Sequence, residues 1–99
     1  MKQLLGCVAL KCLSTDIGEL KSMRTTHESR NSGVASALLA HALDQAQLMG
    51  LSRVSLETGS MDYFLPARTL YEKFGFSYCE PFDQYEDDPN SCFMTLELT

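Results

Sequence analysis

The chain has 99 residues, a formal net charge of −5 and a hydrophobic content of 44%, which excludes a disordered or fibrous protein and indicates one folded domain over residues 1–99. A domain of this length buries only roughly 60–68% of the surface of its unfolded chain, so it supports a single core between two layers. The negative charge argues against a nucleic acid partner, because neutralising many phosphates requires a basic surface.

The cysteines form no CxxC pair and no metal-like spacing with the histidines; they are Cys7, Cys12, Cys79 and Cys92. We therefore expect buried free thiols in a reducing cytoplasm, and no bound metal. No apolar run approaches the roughly 20 residues that a membrane span requires, so the sequence predicts a cytoplasmic protein without a membrane partner.

The first elements form a predicted hairpin. Residues 4–13 are an almost continuous apolar run, which predicts a strand covered on both faces. Residues 14–18 have turn composition, and residues 19–26 are predicted as the returning strand. Polar and apolar residues alternate poorly in this second strand.

A helical period begins at Ser32, and residues 32–49 carry apolar side chains at three- and four-residue steps. Ser32 is the predicted N-cap, and Gly50 is predicted to end the helix at C′. Residues 53–58 alternate as a strand. A strand, a helix and a strand in succession predict a right-handed crossover between parallel strands.

The second helix is predicted to open at Pro66 and to end at Gly75, with Phe76 folding back on the last turn in a Schellman cap. Residues 76–82 and 92–98 are predicted as antiparallel strands joined by an acidic loop, residues 83–90. The whole pattern predicts a mixed α/β fold in the order β-β-α-β-α-β-β.

The segment 30–35 lies between a strand end and a helix start, where open α/β sheets bind ligands. Its backbone amides are suited to hold a phosphate, Gly33 permits close backbone approach, and Arg30 adds a positive charge. Turns of this composition also open many helices that bind nothing, and no Walker sequence follows.

Two motifs together resemble the GNAT (GCN5-related) N-acetyltransferases. Arg30-x-x-Gly33-x-Ala35 is similar to the Arg/Gln-x-x-Gly-x-Gly/Ala pyrophosphate loop of that family, and Ala67-x-x-x-Tyr71-x-x-x-Gly75-Phe76 is similar to its second signature. The motifs stand in the family's order, with one helix and one strand between them. The resemblance implies a GNAT-like acyl-CoA N-acyltransferase core.

The same resemblance implies acetyl-CoA as co-substrate. The end of the second strand would hydrogen-bond the pantetheine arm, and the loop would hold the pyrophosphate. The implied cofactor-binding residues are Met23, Arg24, Thr25, Arg30, Asn31, Ser32, Gly33, Val34, Ala35 and Phe74.

The implied reaction is acetyl transfer from a thioester to a primary amine of a small molecule or a peptide, which needs a base and an acid. Tyr71 matches the family's general acid, although a tyrosine on a buried helix face often serves packing alone. Glu19 is the candidate base, against the alternative of an ordinary exposed strand glutamate. His27 is a weaker candidate base, and Tyr85 is a candidate for lining a substrate pocket in the acidic loop, whose field attracts cations.

The chain departs from the family pattern at two places. It begins at Met1 without the strand and helices that precede Leu4 in other members, and it has Phe64 where an asparagine is common. Because the uncovered sheet would favour association, we expect a homodimer. A non-catalytic module that binds CoA or a protein partner is the alternative function.

Overall fold

The computed structural model describes residues 6–25 and 33–98 and has the predicted order of strands and helices. A short 3₁₀ turn, Asp62–Phe64, precedes the second helix. The elements are β1 (Gly6–Cys12), β2 (Ile17–Thr25), α1 (Val34–Leu48), β3 (Arg53–Gly59), α2 (Leu65–Lys73), β4 (Ser77–Tyr78) and β5 (Ser91–Glu97).

The strands form one mixed sheet in the order β1-β2-β3-β5-β4. Strands β2 and β3 are parallel, as the sequence predicted, and the β1–β2, β3–β5 and β4–β5 pairs are antiparallel. The crossovers through α1 and α2 both step in the same direction across the sheet. Since such crossovers are right-handed, both helices lie on one face of the sheet.

The core lies between this face and the helices. Leu39, Ala42 and Ala46 of α1 are buried there, in agreement with the helical period of the sequence. The sheet contributes Leu20, Val54, Leu56 and Met94, and the region of α2 contributes Tyr71 and Phe76. No helix of the described residues is long and apolar enough to span a bilayer.

The prediction that β1 is covered on both faces is wrong. Val8 and Leu10 pack against the core, but Ala9 and Lys11 are exposed on the other face. An antiparallel edge strand needs cover on one side only. Cys12 at its end is also exposed, contrary to the expected burial of the thiols.

Both helices end in the Schellman geometry expected of their glycines. Gly50 has a φ of 83°, and the Leu51 amide donates to the Ala46 carbonyl at 3.0 Å. Gly75 has a φ of 99°, and the Phe76 amide donates to the Tyr71 carbonyl at 3.1 Å. These bonds satisfy carbonyls that a helix terminus otherwise leaves unpaired.

Two predicted boundaries differ in the structure. Helix α1 begins at Val34, so Gly33, with a φ of 86°, holds the N-cap position expected of Ser32. Strand β4 is much shorter than the predicted 76–82, because Pro81 has no amide hydrogen to continue a ladder. After Cys79 the chain leaves the sheet edge and crosses the face opposite the helices.

We expect Gly75→Ala to lower the free energy of unfolding by at least about 1–2 kcal/mol, the cost of the left-handed conformation for an L-residue. A Cβ at this position would also lie 3.2 Å from Leu96 Cδ1. Urea unfolding measures the loss. Gly50→Ala is the matched control, because its φ is similar and its Cβ would meet nothing within 4 Å; a smaller loss at Gly75 than at Gly50 would contradict the packing argument.

Candidate functional site

Strands β2 and β3 separate partway along their length. Their parallel pairs run from Ile17–Arg53 to Leu20–Leu56, and no further pair joins them in the described residues. Strand β2 nevertheless continues to Thr25 beside β1, and β3 continues to Gly59 beside β5. The two central strands thus diverge, which opens a cleft inside the sheet on the side of their carboxyl ends.

A β-bulge lies in β2 just beyond this divergence. The register of β1 against β2 shifts between Cys7 and Ala9, where β1 has one residue and β2 has two, Ser22 and Met23. Bulges bend a strand and are frequent beside active sites. The extra residue also explains the poor alternation of this segment in the sequence.

The N-terminus of α1 follows the described part of β2 after residues 26–32. Gly33 is exposed, and a Cβ there would meet no described atom within 4 Å. Its carbonyl accepts the Ala37 amide at 3.0 Å, while the amides of the first turn have no partner inside a helix. Of the predicted pyrophosphate loop, Gly33, Val34 and Ala35 lie here; the remaining members, Arg30, Asn31 and Ser32, lie outside the described residues, as does His27.

Tyr71 lies on the buried face of α2 and is 6% exposed. Its ring centroid is 5.7 Å from that of Phe76. Burial raises the pKa of its phenol. Within the described ranges no hydrogen bond to its hydroxyl group is found.

Arg68 anchors α2 to the end of β3, a role that the sequence did not suggest. Its side chain is buried, and Nη1 donates to the carbonyl oxygens of Gly59 and Met61. The Phe64 ring covers Gly59 so closely that a Cβ there would overlap it. Phe64, which replaces the asparagine common in the second signature, therefore serves packing at the start of α2.

Glu19 is one of the most buried side chains, at 2% exposed, so the alternative of an exposed strand glutamate is wrong. It projects from the face of the sheet opposite to Leu20. The hydroxyl of Tyr85 donates a hydrogen bond of 2.6 Å to Glu19 Oε2. This bond, followed by desolvation and the nearby carboxylates, raises the pKa of Tyr85 to about 12. Tyr85 is therefore a hydrogen-bond donor at neutral pH.

An aromatic cluster holds Tyr85 over Glu19. The ring centroid of Phe93 on β5 lies 5.5 Å from that of Tyr85 and 5.8 Å from that of Phe82. The ring centroids of Tyr85 and Phe82 lie 5.2 Å apart. The sequence predicts an acidic loop for this segment. The signal for its packing was the apolar spacing of Phe82 and Tyr85 in an otherwise charged stretch.

An open cavity of about 190 Å³ lies beside the Glu19–Tyr85 pair. Tyr85 therefore lines a cavity, and the binding of a substrate there stays a prediction. The other lining residues come from the first hairpin and the loop after β4: Lys11, Glu19, Lys21, Asp83 and Gln84.

The two candidate catalytic residues lie on opposite faces of the sheet. Tyr71 belongs to the core cluster that includes Leu20, whereas Glu19 points the other way along β2. The cleft between β2 and β3 is the opening between these faces. Among the described residues, no group of three or more His, Cys, Asp or Glu side chains could hold a metal ion, and the expected lack of a metal stays a prediction.

A family model described as "Acetyltransferase (GNAT) family" matches residues 2–76 of the chain. The chain is 56% identical over 96 residues to the uncharacterised N-acetyltransferase YsnE of Bacillus subtilis, an alignment that covers 97% of this chain and 64% of the relative. It thus spans less than two thirds of the length of that relative.

Solved structures share the fold. A Klebsiella pneumoniae protein regarded as an acyl-CoA N-acyltransferase superposes with a TM-score of 0.88 at 28% identity, over 96% of this chain and 64% of that one. A GNAT family acetyltransferase of Elizabethkingia anophelis, solved with acetyl-CoA bound, has a TM-score of 0.80 at 19% identity, over 97% and 70% of the two chains. At that identity the second likeness shows the fold alone.

Tyr85→Phe is expected to lower the free energy of unfolding at pH 7 by roughly 1.5–3 kcal/mol, the range for a hydrogen bond to a charged group. The control is Tyr78→Phe, which removes a 3.0 Å bond to Glu72 Oε1 at the exposed surface and should change stability by within about 0.5 kcal/mol. Urea unfolding measures both, and equal losses would contradict the special role of the Glu19 contact.

The Tyr85 hydroxyl also predicts a pH dependence. Its pKa is raised from 10.0 to about 12 in the folded chain, so its stabilising contribution is complete below pH 10 and is lost as the pH rises towards 12. The Tyr85→Phe variant should lack this loss of stability between pH 10 and about 12.

Proposed function

Because the chain belongs to the acetyltransferase (GNAT) family, we propose that it transfers an acetyl group from acetyl-CoA to a primary amine of a small molecule or a peptide. The separation of β2 from β3 beside an open helix N-terminus carries this proposal. Such an arrangement offers an unpaired strand edge and a set of free amides to one extended, negatively charged ligand. The Elizabethkingia structure, which shares the fold, has acetyl-CoA bound.

The donor lies along the diverging part of β2 in this proposal. The backbone of residues 23–25 has lost its β3 neighbour, so its polar groups are available to the amides of the pantetheine arm. The pyrophosphate reaches the first turn of α1 at Gly33, with Arg30 supplying charge. The rest of the proposed cofactor set comprises Asn31, Ser32, Val34, Ala35 and Phe74, the C-cap residue of α2.

The chemistry divides between the two faces of the sheet. The amine nitrogen attacks the thioester carbonyl, the C–S bond breaks, and the sulfur takes a proton. Tyr71 is the proposed acid on the helix face, where burial keeps its phenol protonated at neutral pH. Glu19 is the proposed base on the other face. Tyr85 occupies its Oε2, which leaves Oε1 to accept the amine proton directly or through one water.

A cytoplasmic location is part of the proposal. The described cysteines, Cys12, Cys79 and Cys92, are free thiols, which suits a reducing compartment in which CoA itself stays a thiol.

Titration calorimetry should detect acetyl-CoA binding, and a thiol-release assay with an amine panel should detect turnover. Tyr71→Phe is expected to keep binding and to lower turnover by about 10²-fold or more, because it removes only the proton donor. Glu19→Gln should lower turnover on the acceptor side by a similar factor. Tyr78→Phe, a surface change, is the control and should leave both measurements unchanged.

The outcomes separate the enzyme from the non-catalytic module. Absence of acetyl-CoA binding would refute both the acetyltransferase and the CoA-binding module. Binding without turnover on any amine would favour a module that binds CoA or a protein partner, and turnover that is indifferent to Tyr71→Phe would remove Tyr71 from the mechanism.

We also propose that the chain forms a homodimer. Met61, Tyr63 and Leu65 are each more than half exposed and lie close together in sequence after β3, and grouped apolar side chains favour association. Light scattering should give twice the chain mass, and the pair of changes Met61→Ser and Leu65→Ser should shift it towards the monomer. Leu48→Ser, at 80% exposed on α1, is the matched control. A monomeric wild-type chain would refute the dimer.

A further inference from the structure

The cavity beside Glu19 has a negative side. Three carboxylates, those of Glu19, Glu57 and Asp83, act on the Tyr85 hydroxyl and raise its pKa. Glu57 is held in place by the Ser91 hydroxyl, which donates to its Oε2 at 2.8 Å. A cationic or neutral amine is therefore favoured at this side of the cavity.

Two lysines also line the cavity, and the sheet register gives their positions relative to Glu19. Lys11 on β1 is paired directly with Glu19 on β2. Lys21 follows Glu19 by two residues, so it emerges on the same face of β2. Diagonal neighbours of this kind lie about 7–8 Å apart in an antiparallel pair. Two ammonium groups thus flank the strand position that bears the buried carboxylate.

Both lysine side chains are exposed. Among the side chains that the structure describes, those of residues 8–21 and 33–98, the single ion pair joins Arg53 to Glu97 at 2.8 Å, so neither Lys11 nor Lys21 has a carboxylate partner within this set. The carboxylate that the register places opposite Lys11 is bound by Tyr85 instead. The cavity is consequently lined by both carboxylate and lysine side chains, and the described ones form no ion pair with each other.

We propose that the acceptor is a small amine that also carries a carboxylate, such as a free amino acid, with its nitrogen at Glu19 and its carboxylate on Lys11 and Lys21. The inference rests on the proposed acetyl transfer and names its acceptor class. A cavity of about 190 Å³ is below the roughly 300–1,000 Å³ of pockets for drug-sized ligands, in keeping with a small acceptor. The two lysines disfavour polyamines, because a second cation would meet them.

The test compares amino acids with their α-carboxamides in the thiol-release assay with acetyl-CoA. Each pair differs only in the carboxylate. The assay is run at neutral pH, where the less basic amine of the amide is deprotonated to a greater extent, and this outweighs the higher nucleophilicity of the more basic amine of the acid. A preference for the acid is therefore not expected from amine reactivity. We expect kcat/KM to be at least about tenfold higher for the preferred acid than for its amide, a difference of 1.4 kcal/mol.

Variants assign this preference to the two lysines. The double change Lys11→Gln and Lys21→Gln should remove most of the preference by raising KM for the acid, while kcat/KM for the amide stays within twofold. The double change to arginine retains both charges and should preserve at least part of the preference. Lys73→Gln, on α2 at the other face, is the control and should change kcat/KM for neither substrate. Calorimetry with acetyl-CoA checks that every variant still binds the donor.

Failure of this proposal differs from failure of the proposed function. Two results would overturn the carboxylate site and leave acetyl transfer standing. One is turnover of the amides at least as fast as that of the acids. The other is an equal effect of the Lys11→Gln and Lys21→Gln changes on kcat/KM for the acid and for the amide. Wild-type chain that binds no acetyl-CoA and acetylates neither class overturns both.

Discussion

The architecture depends on the divergence of two parallel strands. Backbone amides and carbonyls that leave a ladder need other partners, so a sheet opens only where something else holds the strands. Here β1 holds β2 as far as Thr25, and β5 holds β3 as far as Gly59. The cleft is therefore fixed by two antiparallel pairs. In the proposed function, a donor that adds to the open edge would not have to separate paired strands.

The same divergence explains how one thin sheet can use both of its faces. Alternation along β2 sends Leu20 into the helix-covered core and Glu19 to the opposite face. A ligand in the opening between β2 and β3 would be accessible from both. On the helix face, hydrogen bonds from Arg68 to the carbonyl oxygens of Gly59 and Met61 connect α2 to the end of β3.

Local patterns in the sequence predicted those features that depend on neighbouring residues. Gly50 and Gly75 marked the helix ends, because left-handed conformations there favour glycine, and the helical period of residues 34–49 identified the buried face of α1. Features that depend on contacts between distant residues were missed or left open. The burial of Glu19 follows from Tyr85, 66 residues away, and the exposed side of β1 follows from its position at the sheet edge.

The position of β5 in the sheet has a consequence for the order in which the protein forms. The last strand of the chain is inserted between β3 and β4, and β4 has no neighbour in the described sheet other than β5. A nascent chain that still lacks residues 91–97 can form the first hairpin and the β2-α1-β3 unit, but it lacks the strand on which Phe82 and Tyr85 pack. Tyr85 then cannot pack over Glu19, so this part of the candidate site forms only after residues 91–97 have left the ribosome.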